Sequence, residues 1–253
     1  MLLRVRGISE IAPEIWQITI GGEFPYETIQ PGQFLMIRVG SGKEHVLRRP
    51  ISIAAVTKES MTIILRVVGQ GTKWLSERCI GDSLDVLGPL GRGFPRPEKD
   101  ARVLIIGGGL GVPPLYFLGE ALQAETDNVD IVLGFRTKEH CILTGEFSRL
   151  GHLVITTDDG SLGINGNVID AVVSLRNSGR RWDYVYSCGP QGMLSRVKQH
   201  FSSQDVKGYV SLEEHMACGV GACHGCACPS EDHSVTRRIC VSGPVFAWDE
   251  VSL

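Results

Sequence analysis

Arg102-Val-Leu-Ile-Ile-Gly-Gly-Gly-Leu-Gly-Val-Pro-Pro114 decides how this chain is read. A short apolar run, the pattern of a buried strand, passes through a cluster of glycines into the opening of a helix predicted from about Pro113 to Ala124. Glycines at such a turn let a phosphate-bearing ligand approach the backbone, and the helix N-terminus presents the positive end of its dipole. The spacing is not G-x-G-x-x-G, because Val112 stands where the third Gly would be and Pro114 where a shifted register would need it. Gly107, Gly108, Gly109 and Gly111 are the nucleotide-contact candidates of this turn.

Downstream, strand and helix alternate. Val129-Asp-Ile-Val-Leu-Gly-Phe135, Leu153-Val-Ile-Thr-Thr157 and Trp182-Asp-Tyr-Val-Tyr-Ser187 read as strands, with helices near residues 167–175 and 191–201. Apolar strands alternating with helices imply a parallel sheet covered on both faces. Ser187-Cys-Gly-Pro-Gln-Gly-Met-Leu194 repeats the strand, glycine and helix order. Ligands in such sheets bind at strand C-termini, so Cys188, Gly189 and Pro190 join the nucleotide candidates, with a buried core thiol as the alternative for Cys188. Asp158-Asp-Gly-Ser-Leu-Gly163 is a further loop after a strand that either lines the same crevice or is a plain turn.

Upstream of the proline- and charge-rich boundary Pro95-Arg-Pro-Glu-Lys-Asp100, short strands are separated by turns. They are Ile15–Ile20, Gln33–Val39, Met61–Val68 and Ser83–Leu87, and the turn signals are Pro31-Gly32, Gly81-Asp82 and Gly88-Pro89. Their alternation favours an antiparallel barrel or sandwich, with a short helix around Thr72–Arg78. Arg48-Arg-Pro-Ile-Ser-Ile53 sits at the end of one strand, and Ile64-Leu-Arg-Val-Val-Gly-Gln-Gly-Thr72 follows one strand later. An Arg and a Ser three apart can address a flavin and its pyrophosphate together, and glycines at a helix start expose amides to anions. From the residues alone, a surface Arg and a simple turn explain the same stretch. The chain thus divides into residues 1–98, 99–208 and 209–253.

The last unit is rich in cysteine and too small for a strong core, so bound metal would help to order it. Cys218-x4-Cys223-x2-Cys226, with Cys240 downstream, has the plant-type spacing of 2Fe-2S proteins. Gly219, Gly221 and Gly225 allow the backbone amides to approach the sulfurs. A structural zinc site using three of these thiols with His224 or Cys240 is the alternative, and a His-ligated Rieske centre fits less well. Cys228 competes with Cys240 as the fourth ligand. Its C-x-C hinge would strain a cluster already held by Cys223 and Cys226, which favours Cys240.

Composition excludes other classes. With 43% apolar and 21% charged residues the chain is globular. A net charge of -3 with no Lys/Arg run argues against nucleic acid or anionic lipid as partner. The N-terminal residues lack a secretory pattern, which points to the cytoplasm. The uncharged run 103–119 holds five Gly and two Pro and is too short to span a membrane. Eight cysteines, four of them between positions 218 and 228, suggest metal in a reducing compartment rather than disulfides. His45, His140, His152, His200 and His233 are isolated, no catalytic triad or carboxylate pair is present, and Glu213-Glu-His215 reads as a solvated face.

Taken in order, Leu47-Arg-Arg-Pro-Ile-Ser-Ile53, Gly71-Thr72, Gly107-Gly-Gly-Leu-Gly-Val-Pro-Pro114, Cys188-Gly-Pro190, Met216-Ala-Cys-Gly-Val-Gly-Ala-Cys223 and Gly243-Pro-Val-Phe246 span the whole chain. In that order the sequence resembles the electron-transfer subunits of bacterial dihydroorotate dehydrogenase B, within the ferredoxin reductase-like superfamily. The resemblance implies an antiparallel FAD-binding barrel, a parallel α/β domain that admits NAD, and a small C-terminal 2Fe-2S domain. It implies FAD contacts at Arg49, Pro50, Ile51, Ser52, Ile64, Leu65, Arg66, Gly71 and Thr72, and cluster ligands at Cys218, Cys223, Cys226 and Cys240. Ile51 departs from the wider superfamily, which places an aromatic residue near that position. The implied oxidoreductase relay runs from the FMN of a catalytic dihydroorotate dehydrogenase subunit through 2Fe-2S and FAD to NAD+, in a heterotetramer of two subunits of each kind serving pyrimidine biosynthesis. An NAD(P)H reductase or diaphorase subunit of another redox complex is the nearer alternative, and a zinc-stabilised binding module is one of a different class. Arg136 leaves NAD and NADP both open.

Overall fold

The protein is described from a computed structural model covering residues 1–40 and 45–253. Strands β1 (Leu2–Ala12), β2 (Ile15–Gly21), β3 (Phe34–Ile37), β4 (Arg49–Val56), β5 (Ser60–Arg66) and β6 (Ser83–Leu90) close into an antiparallel barrel of order β1-β2-β5-β4-β3-β6. The alternation read from the sequence is the alternation of barrel inside and outside. Ile18, Ile20, Leu35, Ile37, Ile53, Ile63, Leu84 and Val86 fill the interior. Helix α1 (Gln70–Ser76) follows β5.

The barrel differs from the sequence expectation at Gly88-Pro89. This pair does not turn the chain but lies inside β6, with a cis peptide bond. A side chain at Gly88 would meet Leu35 and the carbonyl of Phe34, so the glycine is there for close strand packing.

The second sheet has the order β10-β9-β8-β7-β11-β12-β15. Its strands are β7 (Val103–Gly108), β8 (Val129–Phe135), β9 (His152–Thr157), β10 (Ile164–Asn165), β11 (Tyr184–Cys188), β12 (Lys207–Ser211) and β15 (Val245–Ala247). All pairs are parallel except β12 with β15. β7 is buried at every position because helices cover both faces: α2 (Val112–Leu122) and α3 (Thr144–Phe147) on one side, α4 (Val168–Asn177) and α5 (Gln191–Phe201) on the other. The order reverses between β7 and β11, which opens a crevice at the strand C-termini.

Position 208, where the sequence places the end of the second unit, lies inside β12, and β15 returns from the cysteine-rich tail to pair with that strand. The tail also carries the hairpin β13 (Ala227–Pro229) with β14 (Thr236–Arg238), and α6 (Ile239–Ser242). Cys226, Cys228, Ile239, Cys240 and Phe246 pack against Phe34 and Met36 of the barrel, Leu194 of α5 and Val210 of β12. Among the described residues no helix is long and apolar enough to cross a membrane.

Candidate functional site

Two clefts and one cysteine loop occupy the junction of barrel, sheet and tail. The first cleft, about 700 Å³, is lined by Arg49, Pro50, Ile51 and Ser52 of β4, Ile64, Leu65 and Arg66 of β5, and Gly71 and Thr72 of α1. All nine flavin-contact candidates therefore share one wall, in a volume within the ordinary range for a cofactor site. The tandem arginines divide their work. Arg48 bonds the Asp85 carboxylate and carbonyl at 2.8 Å each, and its guanidinium holds that carboxylate below the usual range. Arg49 instead extends over Gly71, where an added Cβ would lie 2.5 Å from its Nε. The Thr72 hydroxyl accepts from the N–H groups of Val68 and Gly69 and closes the turn that leads into α1.

The second cleft, about 570 Å³, crosses the C-terminal ends of the parallel strands. Of the nucleotide-contact candidates, Gly108, Gly109, Gly111, Gly189 and Pro190 line it. Gly107 and Cys188 lie one layer beneath, in register with each other on β7 and β11. Gly107 packs against Leu133 and Val112, and burial pushes the Cys188 thiol well above its usual range, as a core cysteine would be. The two glycine-rich turns touch: a Cβ on Gly111 would fall 2.2 Å from the carbonyl oxygen of Cys188.

Arg66, Leu110 and Glu213 line both clefts, which makes them one continuous space. The sequence reads Glu213-Glu-His215 as a solvated face; the structure turns these residues and Met216 into a wall of the first cleft. Glu213 remains accessible to water yet lies in a concavity enclosed by protein, and this desolvation raises its pKa. Arg136, Asp158, Asn167, Met193 and Arg196 also reach the second cleft. The sequence raises Arg136 and the Asp158 loop, the latter as a crevice wall or a plain turn, whereas no spacing signal marks Asn167 or Arg196, which sheet order rather than chain order brings there.

Two residues beyond Met216, the cysteine loop begins. Among the described residues, no three His, Cys, Asp or Glu side chains gather as a single metal ion requires. The thiols meet two and two. Cys218 accepts the N–H of Cys223 at 3.4 Å and hydrogen-bonds its thiol, while Cys226 accepts the N–H of Cys240 at 3.4 Å and bonds that thiol. The N–H of Gly225 reaches Cys223 Sγ at 3.4 Å. Backbone N–H groups, foremost that of Cys223, draw the Cys218 thiol down to about 6, a thiolate at neutral pH. Burial, with the Cys226 contact, pushes Cys240 up to about 11. Two pairs of thiols ringed by N–H donors suit a two-iron cluster, which takes four thiolates, better than one tetrahedral ion. Gly219, at φ +70°, lets the loop lie on the barrel; a Cβ there would strike Met36.

Comparison with known proteins agrees with this layout. Residues 213–252 match the family described as the iron-sulfur cluster binding domain of dihydroorotate dehydrogenase B. The electron transfer subunit of dihydroorotate dehydrogenase B (NAD(+)) from Fusobacterium nucleatum is 40% identical over 249 residues, covering 96% of this chain and 95% of that protein. Its counterpart from Listeria monocytogenes is 43% identical over 250 residues, covering 97% and 96%. Among solved structures, an NADH-dependent reduced ferredoxin-NADP oxidoreductase aligns with a TM-score of 0.89 at 31% identity, over 100% of this chain and 90% of that one. The ferredoxin reductase of carbazole 1,9a-dioxygenase shares the fold, with a TM-score of 0.69 at 22% identity over 81% of this chain and 66% of that one. A flavin-binding type of barrel, a parallel nucleotide-binding type of sheet and an iron-sulfur tail, joined along one chain, place this protein in the family of dihydroorotate dehydrogenase B electron transfer subunits.

Proposed function

We propose that the chain is the electron-transfer subunit of an NAD-linked dihydroorotate dehydrogenase, working beside an FMN-containing catalytic subunit in the cytoplasm as a heterotetramer of two of each. The observation that carries this is the exit of β12. Residues 211–216 line the first cleft, Glu213 reaches into the second, and Cys218 follows two residues later. One short segment thus touches all three sites.

In this reading residues 1–98 hold FAD, 99–208 admit NAD and 209–253 hold a 2Fe-2S cluster. Arg49, Pro50, Ile51, Ser52, Ile64, Leu65, Arg66, Gly71 and Thr72 hold the flavin. Gly107, Gly108, Gly109, Gly111, Cys188, Gly189 and Pro190 form the nucleotide turns, with Gly107 and Cys188 acting from beneath. Cys218, Cys223, Cys226 and Cys240 ligate the cluster. When bound, these groups supply conversion between single-electron and hydride transfer. The chain's residues position and desolvate: Arg49 meets the flavin's phosphates, the glycines admit the dinucleotide backbone, and Arg66, Leu110 and Glu213 shape the space where the clefts join. No general acid or base for orotate formation is needed here, since that chemistry belongs to the catalytic partner.

The experiment is anaerobic purification with and without the catalytic partner, followed by iron, sulfide and flavin quantification and a visible spectrum. The expected result is a stable complex containing about two irons and two sulfides per chain, with FAD. A colourless, flavin-free protein would rule the reading out. A second reading, a reductase subunit of another redox complex, draws on the likeness to the ferredoxin-NADP oxidoreductase. Failure to bind an FMN-containing partner, with flavin and cluster present, would favour it.

A further inference from the structure

The four candidate cluster ligands stand on two separate pieces of chain. Cys218 and Cys223 belong to the loop 216–225, whereas Cys226 leads into β13 and Cys240 lies in α6. Backbone contacts knit the second piece together. Ala227 pairs with Arg238, the N–H of Ile239 donates to the carbonyl of Cys226 at 3.0 Å, and the N–H of Cys240 reaches Cys226 Sγ at 3.4 Å. A cluster that takes two thiolates from each piece needs the two held in fixed relation.

A long side chain crosses between them. Arg238, the last residue of β14 and half-buried, donates from Nη1 to the carbonyl of Gly221 at 2.7 Å, between Cys218 and Cys223 in the loop. A bond from a charged guanidinium is of the stronger kind. The Gly221–Ala222 peptide is trans, so a carbonyl directed at Arg238 turns the N–H of Ala222 the opposite way. That N–H acts on the Cys218 sulfur, together with those of Val220 and Cys223, while the N–H of Gly221 itself acts on Cys240. Gly221 adopts φ +82°, and a Cβ there would lie 2.7 Å from Val241 Cγ2, so the loop rests directly on the segment that carries Cys240. Among the described residues Arg238 has no carboxylate partner, whereas the neighbouring Arg237 pairs with Glu250 at 3.5 Å.

We propose that Arg238 is a positioning residue of the iron-sulfur site: it fixes the Gly221–Ala222 peptide with its N–H toward the thiolates and, by its unpaired charge, favours the reduced cluster. The potential of such a cluster is set by net charge, by hydrogen bonds to its sulfurs and by exposure to water. Reduction adds a negative charge, so a nearby cation and an aimed N–H stabilise the reduced form more than the oxidised one. Arg238 supplies the first and holds the second. A lysine here keeps the charge and a donor without the rigid fork of the guanidinium, and an alanine keeps neither. The inference rests on residues 209–253 holding a 2Fe-2S cluster.

The test is a redox titration of the cluster, followed by electron paramagnetic resonance, on the full-length holoprotein purified anaerobically. It compares the unaltered chain with Arg238→Ala, Arg238→Lys and, as a control on the neighbouring cation, Arg237→Ala. Arg238→Ala is expected to weaken the cluster's hold on an electron by about tenfold, or 59 mV for a single electron, and to change the shape of the reduced-cluster spectrum. Arg238→Lys should recover most of that loss, and Arg237→Ala should leave the potential where it is in the unaltered chain. An Arg238→Ala protein that keeps both its iron and its potential would overturn the assignment, as would an equal drop in Arg237→Ala. If Arg238→Ala sheds its iron, Arg238→Lys decides: iron retained near the unaltered potential supports the assignment, and any other result overturns it. Absence of iron and sulfide from the unaltered chain would instead overturn the reading of the tail as a cluster domain.

Discussion

Neighbours that lie far apart in sequence favour Cys240 over Cys228 as the fourth ligand of the proposed cluster. Spacing allows either as the fourth ligand. In the structure Cys240 is the second residue of the short helix α6, its N–H donates to Cys226 Sγ, and the two free thiols hydrogen-bond each other. Cys228 sits in β13 opposite Arg237, buried, its thiol pushed up mainly by that burial. The two cysteines should therefore separate cleanly on substitution. Cys240→Ser is expected to lose most of the cluster's visible absorbance and iron, and Cys228→Ser to retain nearly all of both, measured by spectrum and iron assay on anaerobically purified protein. The reverse pattern would move the ligand to Cys228. The same scale shows what was legible beforehand. The cysteine spacing and the Arg49–Ser52 stretch carry their chemistry in short local patterns. The Asp158 loop is legible only as a crevice wall or a plain turn, Arg196 and Glu213 carry no pattern that points to a cleft, and the crossing of the chain over the sheet brings all three together.

At the scale of elements, legibility followed burial pattern. β8 and α5 have the boundaries read from the sequence, because one is a continuous buried run and the other an amphipathic helix ending at Phe201. β1 carries only a partial alternation, Leu3 and Val5 inside and Leu2 and Arg4 outside, before both faces become half-exposed, so no strong period marks it. β15 is three residues long and exists through its pairing with β12. The cysteine tail depends on others in the same way. Its buried residues rest on Phe34, Met36, Leu194 and Val210, and its own loops have little apolar surface to bury. Removing iron by chelation should therefore loosen residues 213–240 and leave the barrel and the parallel sheet intact. Hydrogen exchange read by mass spectrometry is expected to show at least tenfold faster exchange confined to that segment. Uniform loosening of the chain, or no change in the tail, would contradict this dependence.

At the scale of the molecule, the tail lies across the seam of barrel and sheet, so that one stretch from β12 to Cys218 touches both clefts and the cysteine loop. This proximity makes a single chain suitable as a conductor between a partner's electrons and a soluble dinucleotide. The fold class was legible from alternation and glycine punctuation, but the continuity of the clefts was not, since it depends on how three units pack. The most direct measurement is anaerobic NADH formation from dihydroorotate and NAD+ by the reconstituted pair of chains. The account predicts NADH production that requires both chains and is lost when the cluster is removed from this one. NADH formation by the catalytic chain alone, or none from the cluster- and flavin-loaded pair while the catalytic chain still oxidises dihydroorotate with an artificial acceptor, would contradict it.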